Sequence, residues 1–368
     1  MYLHSLKVSN IKNIQNFEYN FDKNIAYFYS PNGTGKTNLL EAIQVLTIGK
    51  SLRSISEKDL IPFDKTVKSI DVKGEFIDED EISFTANYTL LQYPKSSKVL
   101  KINGNKITGN EYIGRMPSIW FGPESIKIIT SSPLNKRKFF DDILIQLFPV
   151  YHDNLRKYNR ALKQRNKTLQ NENPDKIQIG VWTEQIIRYG AEIIKTRRNF
   201  FNKINNRLAN IKSIERYNFS IKFNPSIKLN EIFDEDAEYK FRFELQNTYQ
   251  RDLITQTTSV GPHKDDWEMM INIHPQKDWL SAERFASRGQ QRMSLIILLT
   301  ALINIFEEER NIRPIMLLDD IFSELDSKNE EILLKFIEEN KIQTFITGVH
   351  KLKNKKIKQI NLIEFLNG

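Results

Sequence analysis

The run Ser30-Pro31-Asn32-Gly33-Thr34-Gly35-Lys36-Thr37-Asn38 has the residue types that hold a triphosphate. A polyphosphate is gripped by several converging backbone N–H groups, and only small residues let a loop curl tightly enough to aim them. Gly33 and Gly35 supply that freedom; Ser30 stands where such loops usually open with glycine. Lys36 is spaced to reach the β- and γ-phosphates of ATP, and the Thr37 hydroxyl to ligate Mg²⁺. Before the loop, the apolar run Ile25–Tyr29 has strand character. Behind it, Lys36–Ile48 has helical spacing at Leu39, Leu40, Ile43 and Leu46, with Gly49 to end it. This order places the loop at a helix N-terminus, where peptide dipoles favour an anion.

A second set of chemically able residues closes the apolar run Ile315-Met316-Leu317-Leu318 with Asp319 and Asp320. Such a run is expected to be a central parallel strand, with its carboxylates at the C-terminal edge beside the phosphate loop. There Asp319 orients Mg²⁺ or its waters, and Asp320 serves as general base for the attacking water. A buried strand followed by a solvated acidic turn has the same local pattern; the continuation Ser323-Glu324-Leu325-Asp326 favours the catalytic reading. Upstream, Ser287-Arg288-Gly289-Gln290-Gln291 precedes an apolar helix. A serine hydroxyl and glycine N–H at a helix start make an anion site, yet many helices begin this way. The order of the four segments carries weight that none carries alone.

These segments need a scaffold. Residues 1–120 are rich in short alternating runs (67–76, 82–90 and 99–102, the last before an Asn103-Gly104 turn), interrupted by the 36–48 helix. From 121 the texture becomes mainly helical, and alternation returns near 261. The expected fold is α/β: a P-loop ATPase head, which by its ordered set of four segments resembles the ABC/SMC type, formed by 1–120 and 261–368 and interrupted by a mainly helical lobe at 121–260. Within that lobe, Arg156, Lys157, Arg160, Lys163 and Arg165 lie on one basic segment. They fit DNA phosphates, or equally a solvated helix face.

Composition narrows the classes further. Lys and Arg number 54 against 46 Asp and Glu, a net +8 that mildly favours polyanion partners. There is no cysteine, so disulfides and thiolate metal sites are excluded, and the five histidines lack metal-ligand spacing. The most apolar run, 294–306, is shorter than the roughly 20 residues of a membrane span and is expected to be a core helix. A cytoplasmic protein without membrane contact is the expectation.

The phosphate loop with Lys50-Ser51-Leu52-Arg53 and 57–61, the segment 158–165, Gly261-Pro262-His263-Lys264-Asp265-Asp266, and 285–291 leading to Asp319 and Asp326 together resemble the RecF family of bacterial recombination mediators. These blocks spread over nearly the whole chain. The family is related to SMC proteins but lacks their coiled-coil arms. The resemblance implies ATP sandwiched between the phosphate loop of one subunit and Ser287, Gly289 and Gln290 of a second. ATP then drives a homodimer, which slow hydrolysis releases. It also implies binding to duplex DNA near single-strand gaps, action with RecR and RecO to load RecA, and a cross-dimer coupling role for Asp326. His350 falls where related ATPases carry a switch histidine, a capping or solvent role being the alternative. The family's Phe-Arg-Asn is Ile11-Lys12-Asn13 here, so a phosphate or base contact at that place falls to Lys12. Two other readings stay open: the nucleotide-binding subunit of an ABC transporter, and an ATP-gated clamp whose hydrolysis is incidental. Asp320, one methylene shorter than the glutamate of fast enzymes, points to slow turnover.

Overall fold

The computed structural model describes residues 1–22, 25–51, 53, 56–62, 67–92, 96–211, 217–229, 237–273, 278–323, 327–352 and 357–366, with backbone alone at 327–329. The chain forms two units, one of residues 1–125 with 306–368 and one of residues 126–305.

The first unit opens with β1 (Tyr2–Ile11), β2 (Ile14–Asn20), β3 (Ile25–Tyr29) and α1 (Lys36–Ile48). It continues with β4 (Ser69–Ile77), β5 (Ser83–Leu91), β6 (Ser97–Ile102), β7 (Asn105–Ile107), α2 (Gly109–Tyr112) and β8 (Ser118–Phe121). Six of these strands make an antiparallel sheet in the order β2-β1-β4-β5-β6-β7. Burial alternates along β4, as it must for a strand with one face on a core. Apolar side chains from this sheet (Leu6, Val8, Ile70, Val72) meet Leu39, Ile43 and Leu46 of α1, and the same core takes in Phe28, Leu317 and Phe345.

The second unit holds α3 (Lys127–Thr130), α4 (Pro133–Leu147), α5 (Pro149–Leu169), the long α6 (Lys176–Asn210), β9 (Asn218–Asn224), α7 (Ala237–Asn247) and α8 (Tyr249–Thr255). It closes with β10 (Asp266–Asn272), β11 (Leu280–Ser281), α9 (Ala282–Phe285) and most of α10 (Arg288–Arg310), within which the chain passes to the first unit. Its core is aromatic: Phe140 lies edge-on to Phe200, Phe201 and Trp267, and Phe223 stacks on Phe201. Gly190 of α6 leaves room for the Phe241 and Tyr158 rings, which a β-carbon would strike.

The division differs from the expected one. Residues 261–305, expected in the head, belong to the second unit, and that unit carries its own sheet, β11-β10-β9. Alternation at 267–273 points to a strand, found at Asp266–Asn272, but period 2 does not say which sheet it joins. Pairing with β9 through Asp266↔Asn224 to Asn272↔Asn218, and Trp267 against Phe140, settle it. Helix α10 also outruns its apolar segment: it has the length and hydropathy of a membrane span, but 72% of that window is buried inside the protein. It is a core helix.

The remaining elements return to the first unit: β12 (Ile315–Leu318), α11 (Ser327–Glu339), β13 (Thr344–Gly348), β14 (Lys358–Asn361) and α12 (Leu362–Leu366). They complete a wholly parallel sheet, β14-β3-β13-β12-β8. Every residue of β12 and β13 is buried, as expected of strands covered on both faces, and in β12 the run is unbroken apolar. The C-terminal ends of β3 and β12 point the same way, with β13 between them. Loop 30–35 and Asp319 therefore share one sheet edge.

Candidate nucleotide site

Loop 30–35 carries the conformations a phosphate cradle needs. Gly33 and Gly35 have φ of 84° and 107°, in the left-handed region. No side chain caps α1, so the first-turn N–H groups face the loop's interior without competition. Ser30 is buried, and its hydroxyl donates to that of Thr34, which donates in turn to the Pro31 carbonyl at 2.9 Å. The serine in place of glycine thus braces the loop. Lys36 Nζ donates to the carbonyls of Ser30 (2.7 Å) and Pro31 (2.9 Å). Burial lowers its pKa below the ordinary lysine value, against the opposing pull of Asp320 and Asp319.

Across the sheet edge, Thr37 Oγ1 lies 2.9 and 3.1 Å from the two carboxylate oxygens of Asp319. Thr347, at the end of β13, donates its hydroxyl to Asp319 Oδ1 (2.8 Å) and accepts the Asp320 N–H (2.9 Å). Asp320 has φ of 46°, a sharp turn directly after the strand, and its Oδ2 accepts from Ser323 Oγ at 3.0 Å. Asn32, Gly33, Gly35, Lys36, Thr37, Asn38, Pro123, Asp319 and Asp320 line one open depression of about 290 Å³. Thr37 and Asp319, 282 positions apart in sequence, are thereby brought together. A hydroxyl and a carboxylate at this spacing are an all-oxygen donor pair, the kind a hard cation prefers.

Other expected residues lie elsewhere. Ser287, Arg288 and Gly289 are exposed at the start of α10. There the Ser287 N–H donates to Gln290 Oε1 (2.8 Å) and Ser287 Oγ accepts the Gln290 N–H (3.3 Å), a reciprocal cap. Gln291 is buried and donates to the Ala282 carbonyl. His350 is exposed after β13 and does not line the depression; its carbonyl accepts the Tyr27 hydroxyl at 2.7 Å. Burial, then Asp320 and Glu330, push the Tyr27 pKa up to about 12, so that hydroxyl keeps its proton. Asp326 lies outside the described residues. Lys12, expected to meet phosphate or base, instead places Nζ 2.5 Å from the fully buried Glu41 of α1, which also accepts from Ser51 Oγ.

The basic segment is split by its helix. Arg156, Arg160, Lys163 and Lys167 are exposed on α5, at the spacing of one face. Lys157 is tied to Asp153 at 2.5 Å and lies over the Tyr189 ring. Arg165 contradicts the expected DNA contact: 1% exposed, its NH1 donates to Asp252 (2.8 Å) and Thr258 (2.7 Å), and its Nε to Thr183. Two residues on, or two short, the same helix would have presented it to solvent. Sequence reasoning also passed over Thr347, Glu41 and Asn13. Glu41 left a trace as an acid among the apolar positions of α1, and Asn13 as the last residue of the Ile11-Lys12-Asn13 run.

The protein-family profile for the RecF/RecN/SMC N terminal domain matches residues 2–366. DNA replication and repair protein RecF of Streptococcus gordonii is 35% identical over 100% of this chain and 99% of its own length. The chain belongs to the RecF family. RecF of Clostridium botulinum is 33% identical over 99% of this chain and 98% of that protein. A solved structure of the recombination mediator RecF with ATP, of the RecFOR pathway, superposes with a TM-score of 0.86 at 30% identity, covering 96% of this chain and 93% of the other. An SMC head bound to the C-terminal winged helix of ScpA shares the fold at 18% identity and a TM-score of 0.54, over 95% and 90% of the two chains. The RecF fold is thus an ABC/SMC-type ATPase head with an inserted lobe.

Proposed function

We propose that this RecF-family chain is an ATP-dependent, DNA-binding recombination mediator and a weak, DNA-stimulated ATP hydrolase. The observation that carries the reading is the Thr37–Asp319 contact beside Lys36 and Asp320 in one depression. The loop N–H groups of 30–38 bind the phosphates, and the Lys36 ammonium neutralises the β- and γ-oxygens. Thr37 and Asp319 are the residues that would hold Mg²⁺, which would supply neutralisation of phosphate charge. Asp320 orients the attacking water and takes its proton. Its short side chain favours slow turnover.

Exposed Ser287 and Gly289, with Gln290, grip the nucleotide held by a second copy, so ATP drives the homodimer. Asp326 couples the two sites and His350 senses the nucleotide state. Arg156, Arg160 and Lys163, with Lys157, meet the phosphates of duplex DNA near gaps, as the exposure of Arg156, Arg160 and Lys163 along α5 supports. The RecFOR pathway named for the structural relatives supports RecR and RecO as partners; the same reading has them load RecA in the cytoplasm. Full-length similarity to RecF disfavours the transporter reading. Sedimentation velocity tests the proposal. With ATP and Mg²⁺ the 43.3 kDa chain doubles in mass, more readily with gapped duplex. A nucleotide-bound species that stays monomeric with and without DNA would refute it.

A further inference from the structure

We infer that Asn13 is a positioning residue of the nucleotide site, a latch that holds the phosphate loop in its anion-binding shape from outside. The inference rests on the nucleotide reading above and adds a part of the machinery from a separate sheet. Asn13 Nδ2 donates to the Gly33 carbonyl at 3.2 Å, and its Oδ1 accepts from Asn38 Nδ2 at 2.8 Å. The same side chain occupies the space beside Gly35: a β-carbon there would sit 2.8 Å from Asn13 Oδ1. It therefore touches the loop at both left-handed glycines and at Asn38, which lines the depression.

A cradle of inward N–H groups requires carbonyls turned outward, and each outward carbonyl is steadier with a partner. Asn13 gives the Gly33 carbonyl that partner. The latch can act because its own base is fixed. Lys12 and Asn13 form the two-residue turn between β1 and β2, closed by the Ile11↔Ile14 pair. The Lys12 N–H donates to the Leu60 carbonyl (2.9 Å), and Lys12 Nζ is anchored on buried Glu41. Sheet edge, turn and first turn of α1 are thus joined around the loop. Asn13 itself is exposed and contributes little apolar burial, so its contacts bear on loop geometry rather than on the core.

The test compares wild type, Asn13→Ala, Asn13→Asp, Asn38→Ala and the Asn13→Ala/Asn38→Ala double variant for fluorescent ATP and ADP binding, steady-state hydrolysis and melting temperature. Two lost hydrogen bonds correspond to about tenfold weaker binding. We expect that loss for ATP and ADP alike in Asn13→Ala, with kcat at saturating ATP changed less than about threefold. Asn13→Asp keeps the shape but turns an oxygen toward the Gly33 carbonyl, and loses at least as much. The double variant loses less than the product of the single losses. Affinities within about twofold of wild type overturn the latch, as does a fall in kcat with unchanged affinity, full independence in the double variant, or a large fall in melting temperature. A wild-type protein that binds neither nucleotide fails earlier, and defeats the nucleotide reading itself.

Discussion

Replacing Arg165 by methionine should destabilise the second unit without acting through DNA. The guanidinium is 1% exposed and Asp252 fully buried, 2.8 Å apart. Asp252 keeps two bonds from Ser259, N–H at 2.9 Å and Oγ at 2.5 Å, but loses the countercharge of Arg165. Leaving one member of a buried pair uncompensated costs about 3–5 kcal/mol. Thr258 and Thr183 retain hydroxyl acceptors at Asn166 and Ile179, so they add little. With a urea dependence of about 2 kcal/mol per molar, the midpoint of the affected transition falls by roughly 1.5–2.5 M. Circular dichroism across a urea series reads this directly. Adding Asp252→Asn, which keeps the Ser259 acceptor but removes the orphaned charge, should recover more than half of the loss. Arg160→Ala and Lys163→Ala should leave the stability within about 0.5 kcal/mol, while each lowers the salt slope of duplex binding by about 0.9. An Arg165→Met protein with an unmoved midpoint and weakened DNA binding would refute the assignment of this arginine to the fold.

Lys36→Arg should abolish ATP hydrolysis, because a forked guanidinium cannot occupy the place of an ammonium bound between the Ser30 and Pro31 carbonyls; unchanged turnover would count against the cradle. Ser287→Arg should leave ATP bound to monomers and block pairing, visible as a single slow sedimenting species; normal ATP-dependent dimers would remove the sandwich. His263 accepts the Tyr158 hydroxyl at Nδ1 (2.7 Å) and donates from Nε2 to the Thr258 carbonyl (2.9 Å). Burial holds its pKa down at about 4, against an ordinary 6.5. Below pH 6.5 the unfolded chain takes up this proton and the folded one does not. Stability is therefore full above that pH and lost toward pH 4, by roughly 3 kcal/mol at most. A His263→Asn protein whose urea midpoint falls just as steeply over that range would show that another group is responsible.

Much of this molecule was legible in one dimension because local rules control it. Gly33, Gly35 and Lys36 announce a phosphate loop since only such residues allow the backbone's close approach. Helix 36–48 and its Gly49 stop follow from spacing and a left-handed cap at φ 77°. The unbroken apolar run 315–318 had to be a strand covered on both faces. What tertiary structure alone decided are matters of partner choice. Alternation made 266–272 a strand but could not say that its neighbour is β9. A row of cations on α5 could not show that Arg165 turns inward to Asp252 while Arg160 and Lys163 face water. Thr347 carries no motif, and the run Ile11-Lys12-Asn13 directs attention to Lys12 rather than Asn13: a threonine ending a strand and an asparagine in a turn acquire their roles only where sheet order and turn anchoring bring them to Asp319 and Gly33. Propensity and periodicity act over a few residues, whereas these contacts are set by which surfaces the folded chain buries together.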